Sequence, residues 1–192
     1  MAGWTPHIVG IGGTTRPGST TEAALRQALA CAAEAGARTS LFAGTALDLP
    51  HFDPGVPERT EAARALVAAL DAADGVILAS PGYHGSVSGL VKNALDYVED
   101  LREAPRPYLS GRAVGIVVCA DGVQALGATL ATLRGVTHAL RGWPTPYAAL
   151  VRAGDKPFAA DGSCRDPGVT EALRTVAREV TGFARMARGA EL

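Results

Sequence analysis

Two hydrophobic periods alternate along the whole of this chain, and that alternation leaves few folds open. Short apolar runs recur as "HIVGIGG" (7–13), "RTSLFAG" (38–44), "GVILASP" (75–81), "RAVGIVVCA" (112–120) and "PYAALV" (146–151). Between them the apolar residues fall at helical spacing. Leu25, Ala28, Leu29 and Ala32 share one face, and Ala62, Leu66, Ala69, Leu70 and Ala73 the next. Leu90, Ala94, Leu95, Val98 and Leu101 make a stripe over 87–101, and Leu126, Leu130, Leu133 and Leu140 another. A fifth helix closes the chain over 168–187, and the proline-rich 47–57 and polar 153–167 read as loops. Five strands alternating with five helices predict a parallel sheet covered on both faces. Right-handed crossovers then favour two strand orders, 2-1-3-4-5 or half of a dinucleotide-binding fold. Either order puts a ligand at the carboxyl ends of the strands.

At 192 residues and 47% hydrophobic content, one well-buried domain spanning 1–192 is expected. A net charge of -1 argues against an electrostatic nucleic-acid or membrane partner. No apolar run reaches the roughly 18–20 residues that span a bilayer. "MAGWTPHIVG" lacks the basic start and apolar run of a secretory leader. Cys31, Cys119 and Cys164 show no metal-ligand spacing and read as ordinary thiols in a reducing cytoplasm. The expectation is a soluble cytoplasmic domain without a metal.

"GIGGTTRPGSTT" (10–21) follows the first strand and opens a helix, so it lies at the positive end of a helix dipole. Gly12, Gly13 and Gly18 let backbone N–H groups approach an anion. Thr14, Ser19 and Thr21 add hydroxyls, and Arg16 adds the loop's one charge. Ser19 stands where a P-loop nucleotidase needs lysine, and Thr15 where the fingerprint G-x-G-x-x-G, begun by Gly10 and Gly12, needs its last glycine. Ser19 also reads as a helix N-cap, with Glu22 completing a capping box. The loop suits a terminal phosphomonoester held without metal.

"SPGYHGSVSGLVKNALDYVED" (80–100) carries the second loop. Pro81 fixes the turn, Gly82 and Gly85 let the backbone approach something flat, and Tyr83 and His84 supply planar side chains. Ser86 reads as the cap of the next helix, and Gly89 as a place of close packing in its first turn. Lys92, Asn93 and Asp96 read as helix-stabilising.

On these two loops the chain resembles the NADPH-dependent FMN reductase family. The family's first motif, roughly G-S-x-R-x-x-S-x-N, is met by Gly13, Arg16 and Ser19, with Thr14 and Thr21 as variants. Its second, P-E-Y-N-x-S-x-x-G-x-L-K-N-x-x-D, is met by Pro81, Tyr83, Ser86, Gly89, Lys92, Asn93 and Asp96. Val91 replaces a leucine, Gly82 the usual acid and His84 the usual Asn. The resemblance implies a flavodoxin-like three-layer α/β fold with a five-stranded parallel sheet in the order 2-1-3-4-5. It implies FMN as cofactor and NADPH (or NADH) as electron donor. The phosphate would lie on Gly13, Thr14, Arg16, Ser19 and Thr21, and the ring against Pro81, Gly82, Tyr83, His84, Gly85 and Ser86. A third loop after "GIVVCA" would line the ring with Asp121 and Gly122, although Asp121 reads equally as a helix N-cap. Arg16 and Arg106 are the candidates for the 2′-phosphate of NADPH.

His7, His51, His84 and His138 are scattered, and no Ser-His-Asp, H-E-x-x-H or Cys-His set is present. Hydride transfer to a flavin needs no protein nucleophile. The reading is therefore an FMN reductase, with no catalytic side chain, that supplies reduced FMN to a partner monooxygenase. The alternatives are an FMN-bound reductase of quinones, azo dyes or metal oxyanions, a non-catalytic flavin module and a phosphate-loop hydrolase. The resemblance implies a homodimer or homotetramer.

Overall fold

β1 (His7–Gly12) is buried along its whole length in this computed structural model, which describes residues 4–188. Residues 1–3 of the stretch inspected for a leader, and 189–192 at the other end, lie outside the described residues. The remaining strands are β2 (Arg38–Phe42), β3 (Gly75–Tyr83), β4 (Ser86–Val87), β5 (Ala113–Ala120) and β6 (Trp143–Arg152). The helices are α1 (Thr20–Glu34), α2 (Glu61–Asp71), α3 (Gly89–Asp96), α4 (Val123–Ala139) and α5 (Pro167–Ala187).

The five long strands are parallel in the order β2-β1-β3-β5-β6, which with β4 set aside is the expected 2-1-3-4-5. The strand count is corrected from five to six. β4 turns back on the end of β3, pairing Tyr83 with Ser86 and Gly82 with Val87. A two-residue strand carries no period, so its sequence gives no strand signal.

Alternation along each strand divides the core into two layers. Val9, Ile11, Val76, Leu78, Val114, Ile116 and Val118 face α2, α3 and α4. Ile8, Ile77, Ala79, Val117 and Cys119 face α1 and α5. A Cβ on Gly10, Gly75 or Gly115 would stand 2.6, 2.6 and 2.5 Å from Leu29, Val180 and Val176. Those glycines let α1 and α5 sit down on the sheet. Gly10 thus serves helix packing rather than a phosphate.

Local boundaries differ from the expected ones for identifiable reasons. Thr60 caps α2, and Ala63 rather than Ala62 is buried beside Leu66 and Leu70, because it stands at i, i+3, i+7 spacing with them. The helix expected over 87–101 is α3 followed by a 3₁₀ stretch, Tyr97–Leu101. Ser88, not Ser86, caps α3 and accepts from the Val91 N–H at 3.3 Å. Gly89 faces open space, so close packing does not explain it. β6 starts at Trp143, ahead of the expected run, and tolerates Pro144 and Pro146 because it is an edge strand. Among the described residues no helix is long and apolar enough to cross a membrane.

At the amino ends of the strands, the Arg112 side chain is completely buried. It donates to the carbonyls of Ala73 (3.0 Å), Asp71 (2.8 Å), Tyr108 (3.1 Å) and Ser110 (3.3 Å). The first two close the carboxyl end of α2, where carbonyl dipoles favour a cation. Burial, reinforced by nearby Arg106, pushes its pKa down to about 10, so it stays charged at neutral pH. Arg106 donates to the same Asp71 and Ala73 carbonyls. This withdraws Arg106 as a 2′-phosphate partner, because it sits at the opposite end of the sheet from the site loops.

Arg112→Leu should lower stability by roughly 3 kcal/mol, since it strips buried carbonyls of their donors. Urea unfolding should show a lower midpoint at unchanged slope. His7 gives a pH signature. Burial, then Arg38, lower its pKa below the ordinary 6.5, while its Nε2 lies 2.8 Å from the Ser40 hydroxyl. The unfolded chain takes up the proton first, so stability should decline as pH falls below 6.5. His7→Gln should flatten that part of a thermal-unfolding pH series.

Candidate functional site

The first loop is set by the place where β1 leaves the sheet. There the chain passes so close over β3 that a Cβ on Gly12 would lie 1.9 Å from the Ala79 carbonyl oxygen. Gly12 (φ 152°) and Gly13 (φ 103°) make the crossing, and the Gly13 N–H donates to that oxygen at 3.2 Å. Gly13 therefore anchors the loop, and its N–H does not face a ligand.

Beyond the crossing, the Thr14 hydroxyl donates to the Arg16 carbonyl and accepts from the Arg16 N–H, both at 3.2 Å. Its proton folds the loop. Ser19 caps α1 by accepting the Glu22 N–H at 3.2 Å, which leaves its own proton free. The expected capping box is half formed, because the Glu22 carboxylate turns to Arg26 at 2.7 Å. Among the described residues the N–H groups of Thr20 and Thr21 and the Arg16 guanidinium have no partner. Two open N–H groups, a free hydroxyl and a free cation at a helix N-terminus fit a phosphate.

The second loop is a tight hairpin. His84 (φ 51°) and Gly85 (φ 80°) form its two-residue turn, with both residues in the left-handed region that such turns require. Buried Ser80 closes the base by accepting the Ser88 N–H at 3.0 Å and donating to the Pro81 carbonyl at 2.9 Å. Gly82 lies against α4. A Cβ there would meet Thr129 Oγ1 at 3.0 Å, Ala120 Cβ at 3.1 Å and the Ala125 carbonyl at 3.2 Å. The acid of the family pattern has no room at this position. Tyr83 stands out from the hairpin, 56% exposed.

The lower half of the second motif faces away from the cleft. Lys92 pairs with Asp96 at 2.5 Å. Asn93 holds the proline-rich loop, accepting the Phe52 N–H at 2.8 Å and donating to the Pro50 carbonyl at 2.9 Å. In the third loop Gly122 caps α4 through its backbone alone, so Asp121 is not the cap.

Three strand ends meet at one cleft of about 220 Å³. Of the expected residues, Thr14, Arg16, Ser19 and Thr21 line it from the first loop, Pro81, Gly82 and Tyr83 from the second, and Asp121 from the third. A smaller neighbouring hollow of about 150 Å³ shares Thr14 and Tyr83 and adds Gly13, Ser88 and Leu90. His84, Gly85, Ser86 and Gly122 line neither. Thr20, Cys119, Ala120 and Ala153 belong to the cleft and were not anticipated. Ala153 follows the last strand, and the rule that ligands gather at strand carboxyl ends points to it. Burial pushes the Cys119 thiol up to about 12, against an opposing hydrogen bond from Thr21, so it is no thiolate at neutral pH. The cleft is built to bind and orient.

A family model described as NADPH-dependent FMN reductase matches residues 6–155. The FMN-dependent NADPH-azoreductase of Staphylococcus aureus (strain USA300) is 31% identical over 117 residues. That alignment covers 61% of this chain and 58% of the azoreductase, so the chain matches little more than half of that protein's length. Among solved structures, the flavoenzyme NAD(P)H:(acceptor) oxidoreductase FerB from Paracoccus denitrificans is similar with a TM-score of 0.76 at 22% identity. The match covers 95% of this chain and 98% of FerB. A flavodoxin, WrbA-like protein from Agrobacterium tumefaciens gives 0.65 at 19% identity, covering 95% and 99%. These two likenesses establish the fold as flavodoxin-like.

The crowding at Gly82 is directly testable. Gly82→Ala should cost about 1–3 kcal/mol by overpacking against α4, measured by urea denaturation. Thr129→Ala in the same chain should recover part of that loss.

Proposed function

The chain belongs to the NADPH-dependent FMN reductase family, and from that membership we propose that it uses a nicotinamide dinucleotide to reduce FMN held in the three-loop cleft. The observation that carries this reading is the convergence of the three strand-end loops, with a free helix N-terminus at one end and an exposed tyrosine at the other. When bound, FMN supplies the two-electron redox chemistry. Ser19, the N–H groups of Thr20 and Thr21, and Arg16 hold its phosphate. The Tyr83 hairpin and the backbone around Asp121, which line the same cleft, would hold its ring.

In this reading the whole chain acts as one flavin-binding domain in the cytoplasm, where its three free cysteines stay reduced. Reduced FMN is delivered to a partner monooxygenase. The exposure of Arg16 and Tyr83 supports an exchangeable flavin. A second reading, in which FMN stays bound and azo compounds, quinones or metal oxyanions take the electrons, is favoured by the similarity to the azoreductase. Tyr83 and Val123, exposed beside the cleft, support a homodimer or homotetramer in which a second copy covers it.

The test is anaerobic absorption spectroscopy of the purified protein with FMN, then NADPH. Loss of the oxidised-flavin band is expected, and persistence of the band overturns the reading. Gel filtration then separates the two acceptor readings, because flavin eluting free supports delivery and flavin eluting with protein supports retention. Arg16→Ala should weaken FMN binding by about 1.5–3 kcal/mol in a fluorescence titration, the range for a charge-assisted hydrogen bond. Unchanged affinity would remove Arg16 from the phosphate.

A further inference from the structure

A second cavity, larger than the cleft, lies beside it. It measures about 630 Å³ and runs between α1, from Thr20 to Ala30, and the segment 156–162. Two features join it to the cleft. Thr20 lines both, and the chain from Ala153, in the cleft wall, leads within three residues to Lys156, in the cavity wall. A ligand with a reactive ring in the cleft and a long polar tail therefore has a continuous path.

The wall chemistry narrows the tail. Phe158, half-buried, offers an aromatic surface opposite Ala23 and Gln27 of α1. Four charged groups line the cavity, and three are already engaged. Glu22 and Arg26 are joined at 2.7 Å, and Asp161 accepts both the N–H (2.9 Å) and the hydroxyl (2.6 Å) of Ser163. Lys156 has no side-chain hydrogen bond or ion pair among the described residues. Outside the cavity wall, Arg152 lies 3.9 Å from Asp155, and Arg106 is at the other end of the sheet.

Resting on the reading above, we propose that this cavity takes the adenylate half of NADPH, with Phe158 against the adenine and Lys156 on the 2′-phosphate. Lys156 then separates NADPH from NADH, which lacks that phosphate. The site is a subsite of the electron donor that borders the flavin phosphate loop at Gly18 and Thr20.

Adenosine 2′,5′-bisphosphate is titrated calorimetrically into the protein, with and without FMN, beside adenosine 5′-monophosphate. The wild type should bind the bisphosphate about tenfold or more tightly than the monophosphate, as a charge-assisted contact allows. Lys156 sits on left-handed backbone (φ 48°), so Lys156→Asn is the substitution that keeps the chain path. It should erase the difference between the two nucleotides, and Lys156→Arg should keep it. In turnover Lys156→Asn should lower the NADPH-to-NADH ratio of kcat/KM about tenfold. Equal binding of the two nucleotides by the wild type, or an unchanged difference in Lys156→Asn, overturns the proposal. So does FAD binding above FMN with displacement of the bisphosphate, which would give the cavity to a cofactor's adenylate. Failure of FMN to bind sinks the reductase reading alone, since the bisphosphate titration on flavin-free protein still decides the cavity.

Discussion

The Ala79 carbonyl is the contact on which the site depends. β1 can leave the sheet across β3 only because position 12 has no Cβ, which would otherwise overlap that oxygen at 1.9 Å. The Gly13 N–H then closes on the same atom. This crossing ties the first loop to the strand that carries the second, so the groups expected to hold a phosphate and a ring are anchored on the same strand. A side chain at position 12 would displace the loop from β3 and not merely crowd it.

The residues of both motifs divide into those that shape the cleft and those that face it. Gly12, Gly13, the Thr14 hydroxyl, Ser80, the His84–Gly85 turn and Ser88 take up one another's hydrogen bonds or backbone conformations. Arg16, the free proton of Ser19, the first N–H groups of α1 and Tyr83 remain unengaged. Such a division follows from satisfaction of polar groups. A donor with a protein partner cannot also serve a ligand, so a ligand's share is what the fold leaves open. Lys156 stands out in the neighbouring cavity for the same reason, because the three charges around it are engaged.

At the opposite pole Arg112 holds the carboxyl end of α2 and the 106–110 turn with a single buried guanidinium. Backbone carbonyls supply its hydrogen bonds, and the Asp71 carboxylate, 3.9 Å away, offsets part of the repulsion from Arg106, so it remains charged. Its sequence context reads only as the polar start of an apolar run. Burial of that cation became visible when the chain was folded around it.

Hydrophobic periodicity was enough to place five strands and five helices and to narrow their order to two, since burial of one face forces a period on any regular element. The loop motifs then pointed to the phosphate and ring ends of the cleft, because glycine, proline and hydroxyl residues carry local backbone requirements that survive without a partner. What lay beyond the residues' own neighbourhood required the tertiary structure. β4 exists through pairing with β3, Gly82 is glycine because Thr129 of α4 fills its side-chain space, and Asn93 serves a loop more than 40 positions earlier in the chain. The cavity at Lys156 likewise brings α1 against the segment after β6. Local sequence encodes conformations and faces, whereas contacts between distant segments depend on how those faces are stacked, and only the packed chain decides that.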